Sequence, residues 1–233
     1  MHTMMSLRSD ALRAERVAAS DDASPRKLLL VDDHELVRCG VKALYTELQG
    51  VRLDWLEASS LREALEIYAA EDEIHAVLLD LNLADCKGLQ GLRQFIREHP
   101  DARIAVFSGT QDEFVVRQAR ALGAAGYVPK GAAAFEMRET LSALLWPTGG
   151  PQRHGFVSSN VLFPRFPASA MLDRVAEFGP RHLEILELVL SGCTNQEISN
   201  SMHLALGTVK NYVSSLLLAL DVKSRSHMVS LFR

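Results

Sequence analysis

Short apolar runs alternate with amphipathic segments from Lys27 to Leu145, and this alternation constrains the fold more than any other feature of the chain. The pattern predicts strands at Lys27–Asp32, Val51–Glu57, Ala76–Asp80, Ile104–Ser108 and Gly126–Val128. It predicts helices at Glu35–Leu48, Ser60–Tyr68, Leu89–Glu98, Asp112–Leu122 and Ala134–Leu145. Five strands that alternate with five helices favour an α/β fold with a five-stranded, doubly wound parallel sheet. Ligands of such sheets bind beyond the carboxyl ends of the strands.

Chemically active side chains follow four of the predicted strands: Asp32 and Asp33, Asp80, Ser108, and Lys130. Acidic residues at a single strand end are ordinary solvated loop residues, but here four strand ends converge on one edge. Three neighbouring carboxylates repel one another unless a cation lies among them, and Mg²⁺ is the hard cation that suits oxygen ligands. A lysine and a hydroxyl opposite would hold the oxygens of a phosphoryl group. Asp80 could then act as a carboxylate nucleophile toward phosphorus.

The rest of the chain divides into three parts. Residues 1–26 end in a cluster of helix-breaking residues, and we expect a flexible tail. Residues 27–146 form the α/β domain, and residues 147–178 form a Pro-rich linker whose phenylalanines, Phe156, Phe163 and Phe166, suggest that part of it packs on a domain. Residues 179–233 are helical by pattern, with Pro180 at a first helical position and a capping box from Thr194 to Glu197. Their layout is that of a small all-α helix-turn-helix domain.

Composition excludes several classes of protein. Hydrophobic residues make up 48% and charged residues 23% of the 233, which is typical of globular chains and not of disordered ones. The longest apolar runs are far shorter than the roughly 20 residues of a membrane span. The N-terminus lacks the apolar core of a secretory signal. Three scattered cysteines without a CxxC pair favour a reducing, cytoplasmic location.

The first domain resembles the receiver domain of two-component response regulators. The matching stretches are Leu30-Val31-Asp32-Asp33-His34, Leu78-Leu79-Asp80-Leu81-Asn82-Leu83, Phe107-Ser108-Gly109 and Gly126-Tyr127-Val128-Pro129-Lys130. The resemblance implies that Asp80 accepts a phosphoryl group from a histidine kinase. It implies Mg²⁺ bound by Asp33, Asp80 and the backbone carbonyl of Asn82, with Asp32 assisting through water. Lys130 would pair with the phosphoryl oxygens, Ser108 would swing toward them, and Tyr127 would turn inward.

Residues 179–229 resemble the LuxR-type helix-turn-helix of the NarL/FixJ class. The matching stretches are Ser191-Gly192-Cys193-Thr194-Asn195-Gln196-Glu197-Ile198, Thr208-Val209-Lys210-Asn211-Tyr212-Val213-Ser214 and Leu220-Asp221-Val222-Lys223-Ser224-Arg225. The resemblance implies a transcription regulator that is a homodimer when phosphorylated. Its helix from about Leu206 to Leu220 would enter the major groove of promoter DNA. The implied DNA contacts are Thr208, Lys210, Asn211, Tyr212, Ser214, Lys223 and Arg225. Residues 226–232 would form the last helix, the usual dimerisation element.

The chain departs from both family patterns. Ala84 replaces the usual proline four residues after the phosphorylated aspartate, so we expect a looser loop, and Gly109 stands where alanine is commoner. Residues 179–233 carry five basic residues against four acidic ones, which leaves little charge for neutralising phosphates. Leu218 and Ala219 stand where basic residues are usual. The recognition helix lacks a good N-cap at Ala205 and has Gly207 in its first turn.

These features suggest three candidate functions. The first is a phosphorylation-switched, dimeric DNA-binding regulator that is not an enzyme. The second is a response regulator whose helical domain acts mainly through protein contacts, which its low positive charge and Leu218-Ala219 suggest. DNA affinity with a steep salt dependence would exclude this second function. The third is a phosphatase of the haloacid dehalogenase type, but that class has a second aspartate two residues after the nucleophile, where this chain has Asn82.

Overall fold

The computed structural model describes residues 24–146, 162–166, 175 and 178–232. The predicted tail at residues 1–26 therefore lies almost wholly outside the described residues, as do Phe156 and most of the linker. The strands are β1 Arg26–Val31, β2 Glu47–Leu48, β3 Val51–Ala58, β4 Ile74–Leu79, β5 Ile104–Ser108 and β6 Gly126–Pro129. The helices of this domain are α1 Glu35–Leu44, α2 Leu61–Ala70, α3 Gln90–Glu98, α4 Glu113–Ala121 and α5 Ala134–Leu145.

The predicted parallel sheet is confirmed, in the order β2-β3-β1-β4-β5-β6, with the five long strands parallel. Leu28 to Val31 in β1 and Ala76 to Leu79 in β4 are all buried, because helices cover both faces of these central strands. One apolar cluster lies on each face of the sheet. The site residues at the strand ends are therefore fixed to a rigid core.

The sheet differs from the prediction by one short strand. β2 pairs antiparallel with β3 through a tight turn at Gln49 and Gly50, and the predicted helix Glu35–Leu48 ends at Leu44 instead. Both turn residues have positive φ, 52° and 80°, which is typical of a two-residue hairpin. Glutamine is unusual at the first position of such a turn, so the residues of the turn do not predict the hairpin.

The described part of the C-terminal domain, residues 178–232, contains four helices: α6 Pro180–Leu190, α7 Asn195–Met202, α8 Leu206–Ala219 and α9 Arg225–Ser230. The Thr194 hydroxyl accepts a hydrogen bond from the Glu197 amide, and the Glu197 carboxylate accepts one from the Thr194 amide, which confirms the predicted capping box. Ala205 precedes α8 without a side-chain cap, as expected. None of the helices in the described ranges is both long enough and apolar enough to cross a membrane.

The two domains pack against each other. Buried apolar side chains of the receiver and of the C-terminal domain form one continuous cluster. The Phe232 carbonyl accepts a hydrogen bond of 3.0 Å from the Glu113 amide at the start of α4, and the Phe232 ring lies edge-on to Phe114. In the linker, the Leu162 carbonyl accepts from the Tyr127 amide at 2.6 Å, and Phe163 and Phe166 pack on the domain core. The described linker segment thus covers the free edge of β6.

Candidate functional site

Two carboxylates stand side by side where β1 and β4 end. The Asp32 amide donates to the Ala58 carbonyl and the Asp80 amide donates to the Val31 carbonyl, so the parallel ladder continues to the strand ends. Asp32 is fully buried and Asp80 is 3% exposed. Buried carboxylates require a cation or hydrogen-bond donors close by.

Lys130 supplies that cation. Its Nζ lies 2.7 Å from Asp32 Oδ2 and 2.9 Å from Asp80 Oδ2, and its amide donates to the Ser108 carbonyl at 2.8 Å. Burial acts to lower the pKa of Lys130, but the two carboxylates outweigh it and the pKa is raised. Burial also raises the pKa of Asp80, which Lys130 offsets only in part. One ammonium group balances two carboxylates incompletely, so the pocket can take up further positive charge.

A set of metal-binding side chains completes the pocket. One ligand atom each from Asp32, Asp33, His34 and Asp80 lies within 4.8 Å of the others. His34 Nδ1 is 2.7 Å from Asp33 Oδ1, and the His34 amide donates to Asp32 Oδ1 at 2.9 Å. Three carboxylates crowded in this way form the oxygen-rich, anionic donor set that Mg²⁺ prefers. The residues present therefore fit the expected ion.

The two predicted switch residues meet at the loop after β5. The Ser108 hydroxyl accepts a hydrogen bond of 3.2 Å from the Thr110 amide, and the Tyr127 hydroxyl donates one of 2.6 Å to the Thr110 carbonyl. Tyr127 is buried, and burial raises the pKa of its phenol. The ring already faces inward in this structure, whereas the resemblance implies an inward turn on phosphorylation.

The loop after Asp80 is tethered at several points although Ala84 replaces proline. Asp85 accepts hydrogen bonds from the Leu61 and Arg62 amides at 3.0 and 3.1 Å, so it caps α2 from outside that helix. Asn82 forms an isolated bridge with Lys87, and its amide group donates to the Ser191 carbonyl of the C-terminal domain at 3.4 Å. These contacts oppose the looseness that the missing proline suggested.

Helix α8 presents an open polar face. Thr208, Lys210, Asn211 and Ser214 are exposed along it, and Lys210 is its only basic residue. The apolar side of the helix is buried through Val209, Val213 and Leu216, which sets the outward direction of the polar face. Leu218 lies at the C-terminal end of the exposed side and is 84% exposed.

The other predicted DNA contacts are placed differently. Lys223 is exposed after α8, whereas the half-buried Tyr212 ring packs edge-on against His182 with centroids 4.9 Å apart. The Arg225 guanidinium bonds to the Val189 carbonyl, the Cys193 carbonyl and the Asn195 side chain. Arg225 thus ties α9 to the loop before α7, and its contact with DNA stays a prediction.

Two residues at the pocket and one between the two domains were not predicted. His34 contacts two of the carboxylates, and its position directly after Asp33 was the available signal. Arg38 donates to the Asp32 carbonyl at 2.6 Å and pairs with Glu57, a contact between elements that sequence spacing does not reveal. Glu187 is 1% exposed although charged, and its place inside the apolar run Leu186 to Leu190 was a signal.

Comparison with known families agrees with this geometry. Residues 28–142 match the family described as response regulator receiver domain. Residues 176–232 match the family described as bacterial regulatory proteins, luxR family.

Relatives resemble the chain over nearly its full length. The nitrate/nitrite response regulator protein NarL of Escherichia coli is 32% identical over 86% of this chain and 92% of its own. The transcriptional regulatory protein LiaR of Bacillus subtilis is 30% identical over 86% of this chain and 93% of its own.

Solved structures share the fold. RcsB of Salmonella typhimurium superimposes with a TM-score of 0.66 at 18% identity, covering 90% of this chain and 97% of its own. RcsB of Salmonella enterica serovar Typhimurium, bound to a promoter in the presence of a beryllofluoride phosphomimetic, gives a TM-score of 0.64 at 17% identity, covering 90% and 98%. The family matches and the curated relatives establish that this chain is a response regulator of the NarL/FixJ class, with a receiver domain followed by a LuxR-type DNA-binding domain.

Proposed function

We propose that this chain is a phosphorylation-controlled transcription regulator. Asp80 accepts a phosphoryl group from a histidine kinase, and the phosphorylated receiver controls dimerisation and sequence-specific binding of promoter DNA. The observation that carries the proposal is the Lys130 ammonium group between Asp32 and Asp80, with Asp33 in the same pocket. A buried carboxylate beside a cation and further metal ligands is suited to attack on phosphorus.

The reaction follows from this arrangement. An Asp80 oxygen attacks the phosphorus of a phosphohistidine, a new P–O bond forms, the P–N bond breaks, and the imidazole leaves on the kinase. Asp33, Asp80 and the Asn82 carbonyl would hold Mg²⁺, with Asp32 assisting through water, and the ion would neutralise charge on the phosphoryl oxygens. Lys130 would pair with one of these oxygens. Ser108 would exchange its bond to Thr110 for one to the phosphoryl group, with Tyr127 held behind it.

We assign DNA binding to the exposed face of α8. Lys210 suits a guanine edge or a phosphate, Asn211 suits an adenine edge, and Thr208 suits a phosphate. The name of the transcriptional regulatory protein LiaR supports a role in transcription, and the promoter-bound RcsB structure is of a protein with this fold on DNA. The individual contacts rest on the exposure of these side chains. The self-catalysed gain and loss of a phosphoryl group is the only chemistry proposed for the receiver.

A second function is favoured by Leu218. Leu218 is 84% exposed, and the helix face on which it lies carries a single lysine. Such a face is unusual for a surface that neutralises DNA phosphates. If the C-terminal domain acts mainly through protein contacts, Leu218 would be part of that surface. Weak DNA binding with little salt dependence would favour this second function.

The phosphorylation step is tested by intact mass spectrometry. The full chain is incubated with Mg²⁺ and a small phosphodonor, and we expect the wild type to gain one acid-stable, base-labile phosphoryl group. Asp80→Asn should gain none, whereas Asp101→Asn, at an exposed loop position, should behave as the wild type. A phosphoryl group that is retained in Asp80→Asn would contradict the assignment.

A further inference from the structure

A positively charged groove lies between helix α4 and the described linker segment, residues 162–166. Its volume is about 580 Å³, which is within the range of small-molecule sites. Three arginines line it, Arg117 and Arg120 from α4 and Arg165 from the linker. Much of the remaining lining is apolar and comes from Phe163, Pro164 and Phe166. Three guanidinium groups around one groove are an unusual concentration of positive charge in a chain whose net charge is −4.

The linker wall of the groove is anchored to the receiver. The Leu162 carbonyl accepts a hydrogen bond of 2.6 Å from the Tyr127 amide of β6. A Cβ added to Gly126 would lie only 3.1 Å from the Leu162 carbonyl oxygen, so this close approach favours glycine. Phe163 and Phe166 pack on the core cluster. The arginine between these two phenylalanines is therefore held beside α4 by contacts on both sides.

The arginines of the groove have donors to spare. Of the three, Arg117 alone pairs with a carboxylate of the described residues, and its Nε and Nη2 both donate to Glu113. The guanidinium carbon of Arg120 lies 5.4 Å from the centroid of the Phe163 ring. A guanidinium group that stacks on an aromatic ring is held in place and keeps its in-plane N–H donors for other partners. Arg120 and Arg165 thus offer charge that no acidic side chain offsets.

This combination of groups suits a phosphate that is attached to a planar ring. Guanidinium groups bind phosphate oxygens in pairs and are preferred to ammonium groups where such recognition matters. Aromatic side chains and stacked guanidinium groups bind the faces of nucleobases. The volume of the groove is that of a small-molecule site, whereas a DNA duplex requires an extended basic surface.

We propose that the groove lined by Arg117, Arg120 and Arg165, here named the arginine groove, binds a nucleoside phosphate. Arg120 and Arg165 hold the phosphate group from the two walls, and the base stacks on Phe166. Arg117 keeps its pair with Glu113 and adds its remaining Nη1 donors. The proposal is independent of the phosphorylation of the receiver, because the arginine groove contains none of the residues of the acidic pocket.

Binding in the arginine groove has a consequence for the linker. A ligand that contacts both walls favours the arrangement in which the linker lies against β6, since any ligand stabilises the state that binds it. The hydrogen bond from the Tyr127 amide to the Leu162 carbonyl belongs to that arrangement. Exchange of the Tyr127 amide should therefore slow when the ligand is bound.

The test is isothermal titration calorimetry of the full chain with AMP, GMP, adenosine, guanosine and inorganic phosphate. It is carried out in EDTA, so that no Mg²⁺ assists phosphate binding at the acidic pocket. Arg120→Gln and Arg165→Gln remove one guanidinium group from each wall, and Phe166→Leu removes the ring but keeps an apolar side chain. The matched control is Arg97→Gln, which removes an exposed charge from α3. The unfolding temperature of each variant shows whether it is folded.

We expect at least one of the two nucleotides to bind about tenfold or more tightly than its nucleoside and than inorganic phosphate. Arg120→Gln and Arg165→Gln should each weaken nucleotide binding about tenfold, whereas Arg97→Gln should match the wild type. Phe166→Leu should weaken the binding of the nucleotide and leave that of inorganic phosphate unchanged. Exchange of the Tyr127 amide should slow on addition of the nucleotide to the wild type.

Three results would overturn the proposal. If inorganic phosphate binds as tightly as the nucleotides, the groove attracts anions without recognising a base. If neither nucleotide binds, or if folded Arg120→Gln and Arg165→Gln bind as the wild type does, the arginine groove is not a nucleotide site. If the arginine variants weaken binding to operator DNA and not to nucleotides, the groove is a DNA contact instead. None of these results bears on phosphoryl transfer to Asp80, which beryllofluoride binding with Mg²⁺ reports separately.

Discussion

The Tyr127 hydroxyl donates a hydrogen bond of 2.6 Å to the Thr110 carbonyl. The bond closes the loop after β5 over the edge of the pocket, because Thr110 also donates its amide to the Ser108 hydroxyl. The Thr110 carbonyl thus holds the Tyr127 side chain, and the Thr110 amide holds the Ser108 hydroxyl. A shift of Ser108 toward a phosphoryl group would break its bond to the Thr110 amide. The bond from the Tyr127 hydroxyl to the Thr110 carbonyl would still hold the loop.

Replacing Tyr127 with phenylalanine should loosen this loop without disturbing the buried ring. A hydrogen bond of this kind contributes about 1 kcal/mol, which corresponds to roughly fivefold faster amide exchange. We expect that increase at residues 109–112, measured by hydrogen exchange, and no change there in Tyr212→Phe, a half-buried tyrosine of the other domain. Unchanged exchange in Tyr127→Phe would show that Thr110 is held by other contacts.

Removing the carboxylate of Asp85 should destabilise α2. The residue accepts from the first two amides of that helix, and the loss of a helix cap costs about 1 kcal/mol. For a domain of the receiver's size, about 120 residues, this corresponds to a fall of about 4 °C in unfolding temperature. Calorimetry of Asp85→Ala measures it, with Glu66→Ala, an exposed position on the same helix, as control. Equal melting of both variants would mean that Asp85 does not cap α2 in solution.

The three cysteines should react with iodoacetamide at very different rates. Burial raises the pKa of Cys86 and of Cys193 to about 11, so at pH 8 only roughly a thousandth of each thiol is the reactive thiolate. Cys39 is exposed and should be alkylated first. The rates for Cys86 and Cys193 should rise about tenfold per pH unit up to the pKa. Peptide mass spectrometry across this range checks the order, and early labelling of Cys193 would contradict the packing.

Lys210→Ala should weaken DNA binding and lower its salt dependence. A lysine that contacts a phosphate contributes about one unit to the slope of log affinity against log salt concentration. The measurement is fluorescence anisotropy at several salt concentrations, on a labelled operator DNA that the protein has selected from sheared genomic DNA. Arg97→Ala removes an equal charge from an exposed position of the receiver and should leave the slope unchanged. If both variants keep the wild-type slope, Lys210 is not part of the DNA contact.

The sheet and the convergence of Asp32, Asp80 and Lys130 could be predicted because strand order fixes which strand ends meet. The β2 hairpin was missed because its turn at Gln49 has atypical residues. Glu187 and the internal role of Arg225 were missed for a different reason: their partners lie 30 or more positions away, and local patterns carry no information on such contacts. The orientation of Tyr127 likewise depends on Thr110, which lies 17 positions away on the loop after β5.

We propose that phosphorylation of the receiver controls DNA binding. Capture of sheared genomic DNA on the full chain, with and without beryllofluoride and Mg²⁺, at low and near-physiological salt, measures this control. We expect discrete sites whose enrichment rises with beryllofluoride and falls steeply with salt. If beryllofluoride binds and yet no site is enriched in either state, phosphorylation does not control DNA binding, and the C-terminal domain acts through a protein partner instead.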